Sequence, residues 1–348
     1  MPLTASEPDP DLWPRVLSHL VAGGSLDRDT TAEAIRAIMR EAATPAQVAG
    51  FLMALRAKGE TADELEGASA VALEMANPVS APEGLALVDT CGTGGDRSGT
   101  FNISTLGAIV VAGAGVPVAK HGNRAASSRC GSADLLEALG VRIDLDADGV
   151  ERCLAEAGIG FMFAPVFHPA AAYAAGIRRE LRVPTIFNFL GPLTNPARPA
   201  AQVVGVSDPR MLPLLAEVLA RRGIRAKVVR GSDGLDELTT TGPSTVLEVA
   251  DGTVAPGSVD PADLGLASAA PEQLVGGDVQ TNVAIARRVL EGAPGPERDV
   301  VLLNAAAVLE VAGRAADLAE GVALAAASVD SGSAARALER WVAVSATR

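Results

Sequence analysis

The sequence predicts an α/β protein in which a small all-helical domain is joined to a larger α/β domain with a mainly parallel central sheet. Three observations lead to this prediction. The first 80 residues carry helix-start signals and helically spaced apolar residues, with no strand pattern between them. Short apolar runs then alternate with helical segments, the order that produces right-handed crossovers and parallel strands. The 348 residues, 48% of them hydrophobic, are enough for two such domains.

The helical layer is predicted from three capping boxes, in which a hydroxyl and an acid or amide three residues later satisfy the free N–H groups of a helix start. These boxes are Thr30–Glu33, Thr44–Gln47 and Thr61–Glu64. Pro45 occupies a first-turn position and Gly59 supplies a stop. The apolar faces of such helices suit a subunit interface, and core packing explains them equally well.

The α/β part is predicted from alternating elements after residue 80. Buried strands are typically short apolar runs, and helices are longer segments that end at glycine. The predicted strands are 85–88, 116–119, 202–206 and 226–229, and the predicted helices are 104–114, 132–139, 212–222, 279–290, 299–312 and 318–328.

Composition excludes several classes of function. Lys and Arg number 29 against 42 Asp and Glu, and the net charge of −13 disfavours nonspecific binding to nucleic acid or an anionic membrane. Cys91, Cys130 and Cys153 form no CxxC pair, which indicates free thiols in a reducing compartment. No signal-peptide pattern occurs at residues 1–13, and the apolar run 106–119 is too short to span a bilayer. We therefore expect a cytoplasmic protein.

A glycine-rich segment at 89–96 lies between a predicted strand and a predicted helix. Its three glycines within four positions let the backbone approach a ligand closely. Asn102, Ser104 and Thr105 follow at the helix N-terminus, where free N–H groups and the helix dipole favour an anion. The segment matches neither the Walker A pattern nor GxGxxG, so a simple tight turn stays open as the alternative.

A second loop, Lys120 to Arg124, strengthens the interpretation as an anion site. Since it follows the next predicted strand, we expect it at the same carboxyl-end crevice of the sheet. Its two cations can neutralise charge that backbone N–H groups cannot, and Ser127, Ser128 and Ser132 add donors. The alternative is an exposed basic turn. For His121, a structural role is the commoner expectation, although it could act as a base.

The Asp236-Glu237 pair and Arg178 each have two interpretations. Asp236 and Glu237 are adjacent carboxylates in a loop after a strand, and hard oxygen ligands beside a phosphate site suit Mg²⁺. An exposed acidic turn is the alternative. Arg178, in an Arg-Arg-Glu run, could pair with a substrate carboxylate through two hydrogen bonds. Such a run on a helix surface is also commonly solvated, and periodicity does not decide between the two.

Taken together, these motifs resemble the anthranilate phosphoribosyltransferase family. The matching strings are GTGGD at 92–96, NxST at 102–105, KHGNR at 120–124, RRE at 178–180, TIFNxLGPLTNP at 185–196 and DE at 236–237. The likeness covers nearly the whole chain, apart from about the first dozen residues and a variable stretch near 253–262.

The resemblance implies a fold and a reaction. Residues 1–80, with 169–199 returning to them, would form the small helical domain and the homodimer interface. Residues 81–168 and 200–348 would form the α/β domain that binds phosphoribosyl pyrophosphate (PRPP). The implied reaction transfers the 5-phosphoribosyl group of PRPP to the amine of anthranilate, with Mg²⁺ as cofactor, two ions per monomer.

The resemblance also implies roles for individual residues, assigned by matching motif positions. Mg²⁺ would be held by Ser104, Asp236 and Glu237. Anthranilate would contact Gly92, Asn123 and Arg178. PRPP would be bound by Gly92, Gly95, Asp96, Thr100, Asn102, Ile103, Ser104, Thr105, Lys120, His121, Gly122, Asn123, Arg124, Ala125, Ala126, Ser127, Ser128 and Ser132.

The chain departs from the family pattern at Cys130, Arg182 and Pro184, which puts substrate affinity in doubt and leaves the reaction itself unaffected. Two alternatives remain. A pyrimidine-nucleoside phosphorylase shares the architecture, but typically has a KHS-type phosphate loop. A non-catalytic nucleic-acid-binding relative would need a basic face, which the net charge opposes.

Overall fold

The computed structural model describes residues 10–125 and 129–347, and within them the chain forms two compact units. The first contains the chain up to Ala76 together with His168–Thr194. The second contains Asn77–Phe167 and the chain from Asn195 onward. The sequence placed the corresponding boundaries at 80, 169 and 199.

The second unit contains both helices and strands, whereas the described part of the first unit contains helices and no strand. In chain order, the α-helices of the described residues are α1 (Leu12–Val21), α2 (Arg28–Met39), α3 (Pro45–Lys58), α4 (Ala62–Glu74), α5 (Ile103–Gly113), α6 (Ser132–Ala138), α7 (Ala147–Ala157), α8 (Ala164–Phe167), α9 (Ala172–Leu181), α10 (Phe187–Leu190), α11 (Met211–Arg221), α12 (Val279–Leu290), α13 (Pro296–Val311), α14 (Leu318–Asp330) and α15 (Ser333–Ala346). The strands are β1 (Val88–Gly92), β2 (Val118–Gly122), β3 (Ile159–Phe163), β4 (Ala201–Gly205), β5 (Arg225–Gly231), β6 (Ser244–Ala250) and β7 (Thr253–Val259).

The first unit is helical, and two of its three predicted capping boxes are present. The Thr44 and Thr61 hydroxyls accept hydrogen bonds from the backbone three residues later, and the Gln47 and Glu64 side chains reciprocate. The box at Thr30 was wrong, because α2 begins earlier. Asp27 caps it by accepting a 2.7 Å hydrogen bond from the Thr30 amide, a charge-assisted contact that places Thr30 inside the first turn.

The second unit is built on a seven-stranded sheet with the order β3-β2-β1-β4-β5-β6-β7. The pairs from β3 to β5 are parallel, and β6 and β7 extend the sheet as antiparallel strands. The predicted fold class is confirmed. Apolar patterning missed three strands, β3, β6 and β7. Strand β7 is exposed along most of its length and contains Pro256 and Gly257, so burial leaves no periodic signal in it.

The predicted helices are found, with ends that differ from the predictions by a few residues. The largest difference is at the start of α13, predicted at 299 and found at Pro296. Two strands were placed too early. The apolar residues at 85–87 precede β1, and Pro117 precedes β2. The parallel ladder instead incorporates polar residues, as in the Asp89 and Gln202 pairing. Lys120, His121 and Gly122 therefore lie in β2, whereas the sequence placed them after the strand.

No helix in the described part of the chain is both long and apolar enough to cross a membrane.

Candidate active site

A buried polar network lies under the carboxyl ends of β1 and β2. The Lys120 ammonium, which is 2% exposed, donates to the Thr90 carbonyl at 2.7 Å and to the Ser104 hydroxyl at 3.4 Å. The fully buried Asp89 carboxylate accepts from the Asn195 amide at 2.9 Å. Burial raises the pKa of Asp89, and the nearby Lys120 charge opposes that rise. Lys120 is therefore a fixed cation whose position depends on strand pairing.

The glycine loop after β1 is tied to the end of β4. The Thr93 amide donates to the Gly205 carbonyl at 2.9 Å, and the Ser207 hydroxyl donates to the Gly94 carbonyl at 2.7 Å. Gly94 and Gly95 have φ angles of 68° and 84°, in the left-handed region that favours glycine. This conformation lets backbone N–H groups turn toward one side of the loop, as an anion site requires.

The two carboxylates of the acidic loop reach different parts of this region. The Gly94 amide donates to Asp236 Oδ2 at 2.6 Å, and the Ser104 amide, at the start of α5, donates to Glu237 Oε1 at 3.2 Å. Asp236 fits here because Gly92 and Gly205, paired in register on β1 and β4, have no side chains. A Cβ on either glycine would overlap Asp236.

The environment of this pair raises both carboxyl pKa values. The pKa of Asp236 is raised to about 7, first by burial and then by the charge of Asp96. The pKa of Glu237 is raised to about 8, first by burial and then by the charge of Asp236. A divalent cation would relieve both costs, since it supplies the charge that the surrounding groups lack.

These residues fit a magnesium ion whose coordination is completed by a bound ligand. Among the described residues, no three His, Cys, Asp or Glu side chains come together as a closed metal cage. Mg²⁺ usually takes one or two carboxylates and fills its remaining positions with water and phosphate oxygens. Asp236 and Glu237, which accept from the Gly94 and Ser104 amides, are of the residue type suited to supply the protein part of that set.

The N-terminus of α5 is held by two asparagines. Asn102 donates through Nδ2 to the Cys130 carbonyl at 3.0 Å and accepts from Asn282 Nδ2 at 3.0 Å. Asn282 in turn accepts from the Gly277 amide at 2.8 Å. The Asn102 side chain makes no cap to α5, so the helix start remains a place where an anion can bind. Ile103 and Thr105 are buried in the same helix.

The basic loop is organised by an acidic residue that the sequence did not assign to the site. Asp134 accepts from the Ala125 and Gly131 amides at 3.0 and 2.9 Å, and forms a 2.8 Å ion pair with Arg124. Arg124 also pairs with Glu137 at 2.8 Å, and these carboxylates raise its pKa. The Arg124 guanidinium is thus engaged with the protein, so a role in phosphate binding would require it to leave these partners.

Other predicted contacts surround the same loops. Ser132 donates to the Asn123 carbonyl at 3.1 Å. Asp96 accepts from the Ser98 hydroxyl at 2.5 Å, and Thr100 forms a backbone bridge with Val275. The His121 side chain is buried, and a Cβ on Gly122 would overlap the Ser132 hydroxyl. The predicted contacts at Ala126, Ser127 and Ser128 lie outside the described residues.

Arg178 belongs to the first unit, on α9. Its guanidinium donates to Asn188 Oδ1 at 3.2 Å and lies over the Phe187 ring at 5.5 Å. Burial lowers its pKa. Neighbouring Arg179 is exposed. The Arg-Arg-Glu run is therefore not uniformly solvated, because its first arginine is held in one orientation by a side-chain amide and an aromatic face.

Several residues that support the site were not predicted as part of it. Gly205 ends β4, Ser207 follows that strand and donates to the Gly94 carbonyl, and Asn282 donates to Asn102. Asn195 lies within the TNP string, where its amide bridges Asp89 and the Ala119 carbonyl. A glycine near the end of the predicted strand 202–206 was the available signal for Gly205. For Asn195 the sequence offered membership of the 185–196 string without a role.

Comparison with known proteins agrees with the fold. The family model described as the a/b domain of the glycosyl transferase family matches residues 84–335, and the helical bundle domain of the same family matches residues 14–76. The fold and site therefore define an enzyme of this glycosyl transferase class.

Similar individual proteins narrow the class. An anthranilate phosphoribosyltransferase of Saccharopolyspora erythraea is 54% identical over 94% of this chain and 95% of its own. The crystal structure of anthranilate phosphoribosyltransferase from Thermus thermophilus matches with a TM-score of 0.90 at 44% identity, covering 95% of this chain and 99% of that one. The Saccharomyces cerevisiae enzyme in complex with PRPP and Mg also matches with a TM-score of 0.90, at 27% identity over 98% of this chain and 99% of that one.

The chain belongs to the anthranilate phosphoribosyltransferase family. Membership of this family rules out both alternatives as the main interpretation of the chain's function. These alternatives were the pyrimidine-nucleoside phosphorylase and the nucleic-acid-binding relative.

Proposed function

We propose that this protein transfers the 5-phosphoribosyl group of PRPP to the amine of anthranilate, giving N-(5′-phosphoribosyl)anthranilate and pyrophosphate. The observation that carries the proposal is the junction of the glycine loop, buried Lys120 and the Asp236-Glu237 pair at the carboxyl ends of parallel strands. Ligands of open α/β sheets bind at such strand ends.

The donor half of the proposal follows from charge. PRPP contacts are proposed for the glycine loop, the N-terminus of α5 and the loop after β2. Lys120 supplies a buried cation next to Ser104, and the glycine loop supplies backbone donors. The Arg124 contact would replace one of its ion pairs with Asp134 and Glu137.

We assign Mg²⁺ binding to Ser104, Asp236 and Glu237, with two ions per monomer as the family likeness implies. The Saccharomyces cerevisiae enzyme in complex with PRPP and Mg supports Mg²⁺ binding in this family. When bound, the ion neutralises charge that develops on the departing pyrophosphate. The chain's own residues hold that group in place and orient it.

The acceptor half rests on Gly92, Asn123 and Arg178, with Arg178 binding the anthranilate carboxylate. An arginine held by Asn188 and Phe187 is oriented for such a contact. The amine of anthranilate is neutral at pH 7 and can attack the anomeric carbon without prior deprotonation. Positioning therefore does most of the work, and no strong general base is needed.

We also propose a cytoplasmic homodimer associated through the helical unit. Among the described residues of that unit, three large apolar side chains are exposed: Val21 on α1 at 79%, Met53 on α3 at 37% and Val183 after α9 at 39%. Exposed apolar side chains on a small helical unit favour burial against a second copy.

The first test concerns the metal. Asp236→Ala should abolish Mg²⁺-dependent turnover, because it removes one of two protein carboxylates from the ion. Decay of anthranilate fluorescence with PRPP, at increasing Mg²⁺, measures this. Turnover with an unchanged Mg²⁺ dependence would remove Asp236 from the metal site. Absence of any anthranilate consumption by the unmodified protein would overturn the proposed reaction.

The second test concerns the acceptor. Arg178→Ala should raise the KM for anthranilate by about tenfold or more, since a buried charge-assisted pair contributes about 1.5–3 kcal/mol. The KM for PRPP should change little. Arg179→Ala is the matched control, because that neighbouring arginine is exposed. Equal effects of the two substitutions would contradict the assignment.

A further inference from the structure

Hydrogen bonds from Asn304 hold the end of the segment that carries Asp236 and Glu237. This asparagine of α13 is 1% exposed. Its Oδ1 accepts from the Leu238 amide at 3.0 Å, and its Nδ2 donates to the Leu238 carbonyl at 2.8 Å and to the Val300 carbonyl at 2.9 Å. The side chain thus pairs with both backbone groups of the residue directly after Glu237, and all of these bonds are buried.

The beginning of the same segment is fastened by Asp233. Its Oδ1 accepts from the Leu235 amide at 3.1 Å. Its Oδ2 accepts from the hydroxyls of Thr239 and Thr241, each at 2.7 Å. Asp233 therefore closes the loop across the acidic pair, joining the residue before Asp236 to residues beyond Glu237. Asp233 is itself exposed, whereas Thr239 is fully buried.

The hydrogen bonds of Asn304 and Asp233 restrain the loop on both sides of Asp236 and Glu237. Asp236 and Glu237 are adjacent carboxylates that are only partly accessible to solvent, so their mutual repulsion when both are charged favours an open loop. Each carboxylate nevertheless has one backbone donor, Gly94 for Asp236 and Ser104 for Glu237. Mg²⁺ requires nearly ideal octahedral geometry, which a loop free to open would not provide.

We propose that Asp233 and Asn304 form a carboxylate clamp, a pair of positioning residues that hold Asp236 and Glu237 in the geometry required for Mg²⁺. This proposal rests on the proposed function of the acidic pair. Neither clamp residue contacts the ion. Asn304, on α13, binds the backbone of Leu238. Asp233, in the loop, binds the Leu235 amide and the hydroxyls of Thr239 and Thr241, so the two residues restrain the segment on both sides of the acidic pair.

The test uses Asn304→Ala and Asp233→Asn in the full chain, with Ser345→Ala as control. Ser345 is fully buried and accepts a 3.1 Å hydrogen bond from the Arg142 amide, so its substitution removes a part-buried bond that does not involve residues 235–239. Mn²⁺ is the probe, and the electron paramagnetic resonance of the free ion gives its affinity in the presence of PRPP. Folding is checked by circular dichroism.

Both clamp variants should bind Mn²⁺ about tenfold or more weakly, the effect typical of residues that support metal ligands. The Mg²⁺ concentration for half-maximal turnover should rise more than that for Mn²⁺, and the KM for anthranilate should not change. General destabilisation would not produce this difference between ions. The control should bind Mn²⁺ as the unmodified protein does.

Two outcomes separate the clamp from the metal assignment. If Asp236→Ala weakens Mn²⁺ binding and folded clamp variants do not, the clamp is overturned alone. If Asp236→Ala binds Mn²⁺ normally, the metal assignment fails and the clamp fails with it. Should Asn304→Ala not fold, Asp233→Asn decides, because Asp233 is exposed and its substitution preserves shape.

Discussion

Asp236 and Glu237 lie where the protein alone does not favour negative charge. Burial is the largest contribution to both raised pKa values, and a neighbouring carboxylate is the next in each case. Lys120 offsets part of the cost for Glu237. The buried pair of carboxylates favours binding of a divalent cation and lowers the stability of the folded protein, which is a common property of functional sites.

The pH dependence of stability should reveal this cost. The folded-state pKa of Glu237 is about 8, raised from 4.5, so the folded protein retains a proton that the unfolded chain releases. Its contribution to stability is fully present below about pH 4.5 and is lost as the pH rises through about 8, by about 1.4 kcal/mol per pKa unit. Glu237→Gln should therefore melt at a higher temperature than the unmodified protein at pH 8.5 without metal.

At pH 5 the two proteins should melt alike, which provides the internal control for this prediction. Adding PRPP and Mg²⁺ at pH 8.5 should stabilise the unmodified protein more than the variant, because only the former keeps both carboxylates. Equal melting temperatures at both pH values would show that Glu237 is not held in an unfavourable charge state.

Among the structural elements, the ends of β1 and β4 decide where the acidic loop lies. Gly92 and Gly205 are paired in register, and both face Asp236 at a distance that leaves no room for a Cβ. The glycines therefore do more than turn the chain, since they let the backbone of another loop pack directly onto two strand ends.

Gly205→Ala should destabilise the protein by about 1–3 kcal/mol, the usual cost of overpacking, and should reduce turnover more than substitutions elsewhere in β4. Denaturant unfolding and the anthranilate fluorescence assay measure the two effects. Gly176→Ala, on α9, is the matched control. A Cβ there meets no atom within 4 Å, so it should stabilise its helix by about 0.5–1 kcal/mol. A neutral Gly205→Ala would contradict the packing argument.

At the scale of the whole molecule, exposed apolar side chains of the helical unit predict association. Met53→Glu should shift the protein from dimer to monomer in light scattering, because a charge would be buried at the interface. Val254→Glu, at a similarly exposed valine of β7 in the other unit, should leave the mass unchanged. A monomeric unmodified protein would remove the proposed interface.

Much of the architecture follows from local patterns. The helix-start signals at Thr44 and Thr61, and the apolar runs of β4 and β5, appear in the structure close to their predicted places. They were predictable because capping and buried periodicity are local properties. The capping prediction at Thr30 failed because a charged residue three positions earlier made a stronger cap.

By itself, the sequence determined the fold class, the residue types of the candidate site and the family that their combination resembles. Only the tertiary structure decided which of these residues meet. Asp236 reaches Gly94 from 142 residues away, and Asn304 fixes Leu238 from 66 residues away. Lys120 also lies within β2, because that strand pairs in parallel with its neighbours. These contacts join distant segments through hydrogen bonds and close packing, which leave no periodic trace in the chain.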